Sequence, residues 1–536
     1  MTLPSRVTRI VLIAAIVIGV GVDVFFALVN FYPVAPHPNP GPKRYVVMQL
    51  DEVQGAWFQK NILEDFNAET NSNLEVLRVS EEEQLQAVAH DAAAAGKDVV
   101  LVALPETQLG HAITTKLVRP FTDLMAPDRI AADFSDLGLA VLAPGRVTDK
   151  QFFLPRMSVV DVAAYRVSKV RDAVSHWSVL RPQINATLAK INGRGLPAGY
   201  ELGLTPNAWT SYDLFVMAYY WSHRSYGGEH ARPRVAHRTG DEIDGQRDIV
   251  SALYRLGATD TTVTNTENHA AIDFFQWESL YRDEGAYVPE MFEDDPFDDE
   301  AVLEGLRSGE LFFAPIDTME AFDLHGGSHA GALAKIEDPA DLEFTSMPRG
   351  ASLALDASGH PQRQRPSFSF LEDWVWALPA ATSSPVGYQL VKFLWRPEIH
   401  ARECEAFGML PLHPQIVTER VSRFRLDWMS HVFEAGLEQA RYGERTPPLL
   451  IDKGIGSVYA QLWTRIVDGK LPTTPDTEIV AALHAPPPPK PLAVRAKGDA
   501  EPTKPDKPAP DPAVADAENQ DWETDVVLER VVGAKP

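Results

Sequence analysis

The sequence predicts an α/β fold built on a parallel sheet. Three short apolar runs, at 44–50, 74–79 and 99–104, are typical of strands, and helical patterns separate them. Strand, helix and strand in this order imply parallel pairing with right-handed crossovers. The composition supports such a core, because 45% of the residues are hydrophobic and 23% are charged.

The helices between these strands are predicted from spacing and composition. The segment 58–67 places its apolar side chains on one helical face, and 82–95 is alanine-rich, with Gly96 suited to its C-terminal end. Ligands of parallel sheets bind beyond the carboxyl ends of the strands. The segments that follow the first and third strands, 51–57 and 105–108, are therefore predicted to be loops that contribute to a site.

Charge and motifs exclude several classes of function. The 536 residues carry a formal charge of −25, which disfavours nucleic acid as a partner. The single cysteine, Cys404, rules out an intramolecular disulfide framework and a cysteine-only metal site. His325 and His329 lie four apart, but the glycines around them favour a loop over a metal site. The sequence contains no P-loop, no H-E-x-x-H motif and no dinucleotide fingerprint, so we expect no cofactor.

The N-terminal region predicts a membrane anchor. Residues 10–32 are almost wholly apolar, about the length that a helix needs to cross a bilayer. Arg6 and Arg9 lie in the preceding segment 1–9, which predicts a cytoplasmic N-terminus. We therefore expect a single-pass protein of the inner (cytoplasmic) membrane whose bulk is periplasmic or extracytoplasmic. A cleaved signal peptide is the alternative.

The 42 prolines mark the ends of the folded region. Five of them fall in the predicted spacer 33–43, where they favour an extended and semi-stiff chain. Eleven more fall in 486–536, a segment too polar to bury a core, which predicts a disordered tail. The segment between them, 44–485, is predicted to be the folded domain.

Five segments of this domain carry a resemblance to a known family. They include the motifs FNAETNSNLEVLRV, QFFLPRMSVVDVAAYRV and GELFFAPIDTMEAF, and they lie in this order at 66–124, 151–167, 274–324, 375–416 and 459–485. The chain resembles the extracellular solute-binding proteins of ABC importers, family 1, whose members include maltose- and other oligosaccharide-binding proteins.

This resemblance implies a two-lobed periplasmic-binding-protein-like fold of type II, with a hinge and a cleft between the lobes that closes on a ligand. Lobe 1 is expected to hold 44–155 and 342–399, and lobe 2 to hold 156–341 and 400–485. It also implies a binding protein rather than an enzyme. The expected partners are a small polar, sugar-like solute and an ABC permease or another envelope protein.

Sugar binding requires flat aromatic faces together with carboxylates and amides that pair with hydroxyl groups. Core packing is the alternative role for the tryptophans, and a structural charge is the alternative for the polar residues. Met319 stands where many oligosaccharide binders carry an aromatic residue, which weakens the sugar assignment. The candidate ligand-binding residues are Gln54, Trp57, Glu106, Arg156, Trp209, Asp317, Met319, Glu372 and Trp374.

These observations leave alternatives for the function. The leading hypothesis is a membrane-anchored solute-binding protein of an ABC-type importer, with a carbohydrate or similar polar solute in the interlobe cleft. The alternative is an envelope sensor or interaction protein that reuses the fold without transport, which the long tail favours. A glycoside-processing enzyme is a third hypothesis, but no two carboxylates form a convincing catalytic pair in the sequence.

Overall fold

A computed structural model describes part of the chain. It covers 41–483, except for 51, 80–84, 106–107, 136–145, 148, 225–231, 241–242, 294–295, 325–338, 413–426, 446–453, 474–479 and 482. The predicted anchor, the predicted tail and most of the predicted spacer lie outside the described residues. Within the described ranges, none of the helices has the length and apolar character needed to cross a membrane.

The strands of the described residues form one large sheet and a small hairpin. In chain order they are β1 (Arg44–Gln49), β2 (Leu74–Val79), β3 (Val99–Pro105), β4 (Val118–Arg119), β5 (Arg146–Val147), β6 (Lys150–Gln151), β7 (Phe153–Arg166), β8 (Arg234–Val235), β9 (Leu311–Asp317), β10 (Leu342–Thr345), β11 (Phe370–Pro379) and β12 (Glu444–Arg445).

The main sheet has the order β2-β1-β3-β11-β7-β9-β8. Strand β1 pairs in parallel with both β2 and β3, which confirms the three predicted strands and their parallel pairing. Strand β11 is antiparallel to β3 and to β7. Strands β4 and β12 add to β11, β10 adds to β7, and β5 and β6 pair with each other.

The α-helices of the described residues are α1 (Glu52–Phe58), α2 (Glu64–Thr70), α3 (Leu85–Ala94), α4 (Leu109–Thr114), α5 (Pro127–Asp133), α6 (Val167–His176), α7 (Arg181–Asn192), α8 (Ser211–His223), α9 (Ile243–Arg255), α10 (His269–Asp283), α11 (Asp299–Ser308), α12 (Thr318–Leu324), α13 (Val386–Leu394), α14 (Pro397–Phe407), α15 (Asp427–Ala440) and α16 (Ile455–Trp463). Two π-helical turns, Gln59–Leu63 and Thr464–Asp468, extend α1 into α2 and continue α16.

The first helix begins earlier than its spacing predicts. The segment 51–57 is predicted as a loop, but α1 already begins at Glu52. A long-range contact accounts for the difference: Gly55 lies against the side chain of Arg78 on β2, where a Cβ atom would overlap that side chain. A glycine in this turn therefore lets the helix pack closely on the sheet.

Strand β7 connects two lobes. Its first part, 153–160, pairs with β11, and from Asp161 onward it pairs with β9. Its last four residues pair on the other edge with β10. We define lobe 1 as the part built around β1–β3, β11 and the first part of β7, and lobe 2 as the part built around β8–β10 and the rest of β7.

Pairing and packing place the lobe boundaries differently from the sequence. Strand β10, expected in lobe 1, pairs with the lobe 2 part of β7. Helix α14, expected to lie mostly in lobe 2, packs on lobe 1, because Glu403 binds Arg156 and Arg402 binds Asp65. We therefore propose that the chain changes lobes near 160, 370 and 408. The physical reason is that β10 and α14 are fixed by partners far away in sequence.

Candidate functional site at the lobe junction

Charged residues from both lobes meet where β7 passes between them. Asp161 of β7 lies directly opposite Asp317 of β9, and Glu372 of β11 lies opposite Val159. An aspartate inside a fully buried strand is costly unless it is paired. We call the group around it the junction cluster, which consists of Asp161, Arg238, Arg247, Asp248, Asp299, Asp317, Met319, Glu320, Glu372 and Trp374.

Arg238 provides the pairing for the buried carboxylates. Its Nε and Nη2 atoms donate to the two oxygens of Asp248 at 2.9 and 2.8 Å. Nη2 also donates to Asp161 at 3.0 Å, and Nη1 lies 3.2 Å from Asp299 and 3.4 Å from Glu320. Burial alone would favour the neutral base, but Asp248 and Glu320 raise the pKa of Arg238, so it remains a cation.

Arg247 links the two lobes. It lies on α9 of lobe 2, and its guanidinium forms an ion pair with Glu372 on β11 of lobe 1. A second contact, at 2.9 Å, joins Arg247 to Asp244 on its own helix. On the other side of Glu372, the indole Nε1 of Trp374 donates to its carboxylate at 3.1 Å. Glu372 therefore accepts a hydrogen bond from an indole of lobe 1 and pairs with a guanidinium of lobe 2.

Asp317 caps α12, as its place before a helix predicts. Its Oδ1 accepts from the backbone N–H groups of Met319 and Glu320 at 2.7 and 2.8 Å, and Glu320 Oε2 accepts from the Asp317 N–H at 2.5 Å. Burial raises the pKa of Asp317 to about 7. Burial and the neighbouring Asp317 also raise the pKa of Glu320. At neutral pH this pair of carboxyl groups therefore retains a proton.

Four of the predicted site residues come together here. Asp317, Met319, Glu372 and Trp374 are half-buried members of the junction cluster and come from both lobes. The Trp374 indole contacts Glu372, and Met319 lies in the same turn as Asp317, to which its backbone N–H donates. Carboxyl groups with apolar side chains in the same region can bind a polar solute that also has an apolar face. Among the described residues no group of three or more His, Cys, Asp or Glu side chains could hold a metal ion. His325 and His329 lie outside those residues.

The other predicted site residues lie elsewhere. Arg156 is buried in lobe 1, where its Nε and Nη2 atoms donate to Glu403 Oε1 at 3.2 and 2.9 Å. Its guanidinium also lies over the Trp376 ring, 5.1 Å from the centroid. Gln54 is buried on α1. Glu106 lies outside the described residues.

The two remaining tryptophans pack against other aromatic rings. Trp209 is buried, its Nε1 donates to the Gly203 carbonyl at 3.0 Å, and its ring meets Tyr165 edge-on. Trp57 is half-buried, and its ring meets Phe407 of α14 at a centroid distance of 5.1 Å. These ring contacts favour the packing role that the sequence left open as the alternative for both tryptophans.

Sequence reasoning missed Asp161, Arg238 and Arg247. Asp161 had a signal, since a single aspartate interrupts the apolar run around it in β7. The two arginines had none, because their partners on other elements are distant: 77 positions separate Arg238 from Asp161, and 125 separate Arg247 from Glu372. No local pattern of charges joins such residues.

Comparisons with known proteins agree with this architecture. No family model and no curated protein matches the sequence. Among solved structures, the GacH receptor of Streptomyces glaucescens aligns with a TM-score of 0.57 and 13% identity over 82% of this chain and 96% of that one. The cyclic α-maltosyl-1,6-maltose binding protein of Arthrobacter globiformis gives 0.56 and 12% over 82% and 97%.

A third structure, the maltotriose-binding protein of Thermus thermophilus with maltotriose bound, gives a TM-score of 0.54 and 13% identity over 82% of this chain and 97% of that one. Identities this low concern the fold alone. The structural alignments and the sheet order together confirm the predicted α/β class. This chain has the mixed α/β fold of the two-lobed solute-binding proteins.

Proposed function

We propose that this chain is a membrane-anchored extracytoplasmic solute-binding protein of an ABC-type importer, and that it binds a carbohydrate or similar polar solute between its lobes. The observation that carries the proposal is the convergence of Asp317, Met319, Glu372 and Trp374, half-buried and drawn from both lobes, where β7 passes between them. The likeness to maltodextrin-binding structures favours the same solute class.

The chemistry of these groups suits a polyhydroxylated ligand. The Trp374 indole and the Met319 thioether offer apolar contact to the C–H face of a sugar ring. Glu372 accepts hydrogen bonds from hydroxyl groups, and Asp317, with its pKa of about 7, can accept in one protonation state and donate in the other. A thioether covers less of a ring face than an indole does, which favours a small ligand over a long oligosaccharide.

The predicted anchor completes the proposal. A helix at 10–32 would hold the receptor beside a permease, and the spacer 33–43 would separate the domain from the membrane. Tethering raises the effective concentration of the receptor at its partner.

The proposal is tested by calorimetry and thermal-shift measurements on the full-length chain with a panel of maltodextrins and monosaccharides. We expect at least one sugar to bind, and Trp374→Ala to weaken that binding at least about tenfold, the equivalent of about 1.4 kcal/mol. Val179→Ala is the control, because Val179 is 75% exposed on lobe 2 and lies outside the junction cluster. Absence of binding to every sugar would contradict the carbohydrate assignment.

A second function, that of an envelope sensor or interaction protein, is favoured by one observation. The Arg247–Glu372 ion pair joins the lobes through the side chains of the protein itself. Spin labels at Gly110 on lobe 1 and Val179 on lobe 2 report whether the lobes move. A receptor or sensor whose lobes close on solute changes this distance when a bound sugar is added, whereas an interaction protein with fixed lobes does not.

A further inference from the structure

A groove at the C-terminal end of α9 lies outside the junction cluster. The segment that follows α9, the segment that precedes β11 and the turn after α15 enclose a cavity of about 440 Å³. This volume falls in the range of roughly 300–1,000 Å³ that small-molecule sites occupy. None of its lining residues belongs to the junction cluster, so we name it the α9 groove and treat it separately.

One wall of the α9 groove is held rigid by packing. The Tyr254 ring stacks on Phe368, with centroids 5.0 Å apart and planes 23° apart. The Tyr254 hydroxyl donates to Asp260 Oδ1 at 2.6 Å. Because Tyr254 and Phe368 are both buried, this wall needs no rearrangement when a ligand enters.

A cation lies at the edge of the groove. Arg365 is exposed, and its guanidinium forms no hydrogen bond or ion pair with the part of the chain that the structure describes. It lies over Gly257, where an added Cβ atom would be 3.4 Å from the Arg365 Nε. Gly257 has a φ of +105°, a conformation that favours glycine, so the space beside the guanidinium stays open.

The remaining lining is an exposed ring and hydroxyl groups. Tyr442 is 43% exposed. Nearby, the exposed Thr259 hydroxyl contacts the Thr261 and Thr262 hydroxyls, both at 3.1 Å, and accepts from the Thr262 N–H at 3.3 Å. Thr259 is thereby fully engaged, whereas the exposed Thr261 hydroxyl keeps further hydrogen-bonding capacity. A flat ring, neighbouring hydroxyls and a planar cation together match a sugar ring that bears a carboxylate.

We propose that the α9 groove binds a hexuronate, a monosaccharide with a carboxylate group. The carboxylate pairs with the Arg365 guanidinium, the apolar face of the ring covers Tyr442, and a ring hydroxyl bonds to the Thr261 hydroxyl. Arginine favours this ligand because its planar fork matches the two oxygens of a carboxylate. The chain carries a formal charge of −25, so it does not attract anions in general. Binding of a carboxylate would therefore require a specific site.

The test is isothermal titration of the full-length chain with sodium glucuronate and, separately, with glucose. We expect glucuronate to bind more tightly than glucose, and Arg365→Gln to weaken glucuronate at least about tenfold while leaving glucose unchanged. Arg349→Gln is the matched control, since Arg349 is an exposed arginine of lobe 2 outside the groove. It should leave both affinities unchanged.

Two further variants locate the bound sugar acid. Tyr442→Ala should weaken glucuronate, whereas Trp374→Ala, in the junction cluster, should not. Loss of glucuronate binding in Trp374→Ala, an equal affinity for glucose and glucuronate, or no binding of glucuronate would each overturn the proposal. Failure of sugar binding at the junction leaves these readouts intact, so the two proposals are tested separately.

Discussion

The Arg156–Glu403 ion pair gives the sharpest stability prediction. Both side chains are almost fully buried, at 1% and 2% exposure, and two hydrogen bonds join them. Arg156→Met keeps much of the side-chain length but leaves the Glu403 carboxylate buried without its counter-charge. Removing one partner of a buried pair costs about 3–5 kcal/mol. Loss of the cation over Trp376 adds to this at most about 2 kcal/mol.

Removing both charges should restore most of this stability. The double variant Arg156→Met with Glu403→Leu buries no unpaired charge. We therefore expect its free energy of unfolding to lie within about 2 kcal/mol of that of the parent protein. The assay is urea unfolding followed by circular dichroism, with all four proteins compared as a double-mutant cycle. Each single variant should cost at least about 3 kcal/mol and the double variant at most about 2 kcal/mol, so the coupling between the two sites should be at least about 4 kcal/mol in magnitude.

The same cycle separates a structural role from ligand contact. If Arg156 bound solute directly, Arg156→Met would lose sugar affinity with little loss of stability. A destabilisation below about 1 kcal/mol, or a double variant as unstable as the sum of the single variants, would refute the reasoning.

Three further predictions follow from buried groups. Asp317, with a pKa of about 7 against an ordinary value of 3.8, keeps a proton that the unfolded chain loses, so stability falls as pH rises from about 4 to 7. In pH-dependent urea unfolding, Asp317→Asn should reduce this fall by about 2 kcal/mol, a figure discounted for partial exposure. Gly350→Ala should lower the unfolding free energy by at least about 2 kcal/mol, because its Cβ would overlap the Arg255 carbonyl, whereas Gly110→Ala, with open space around it, should not. Burial raises the pKa of the Cys404 thiol, so Ellman's reagent should label it only after unfolding.

Each of these three predictions has a clear contrary result. An unchanged pH dependence in Asp317→Asn would place the retained proton elsewhere. Equal stability of the two alanine variants would mean that the backbone at Gly350 has room for a side chain. Rapid labelling of Cys404 in the folded protein would show that α14 opens readily.

Parts of the fold could be predicted because they depend on residues that are close together in the sequence. Strand β2 was predicted with its observed ends, and β1 and β3 to within one residue, since unbroken apolar runs favour buried parallel strands. The capping box at the start of α8 likewise joins Thr210 to Asp213, three positions later. Both features depend on residues within a few positions of each other.

The rest depends on distant partners. Helix α1 begins early because Gly55 meets Arg78, and α14 joins lobe 1 through Glu403, 247 positions after Arg156. The junction cluster has the same origin, as Arg238 gathers carboxylates that no spacing rule connects. Glu372 and Trp374 were candidates because a carboxylate lies two positions before a tryptophan in one short segment.

The continuity of β7 has a consequence for how the protein unfolds. All fourteen of its residues are buried, and one apolar core runs past it, with Leu154 and Met157 on the lobe 1 side and Val162 and Ile316 on the lobe 2 side. Neither lobe can lose this strand without exposing the interior of the other. The two lobes therefore form one cooperative unit: they can move relative to each other, but they unfold together.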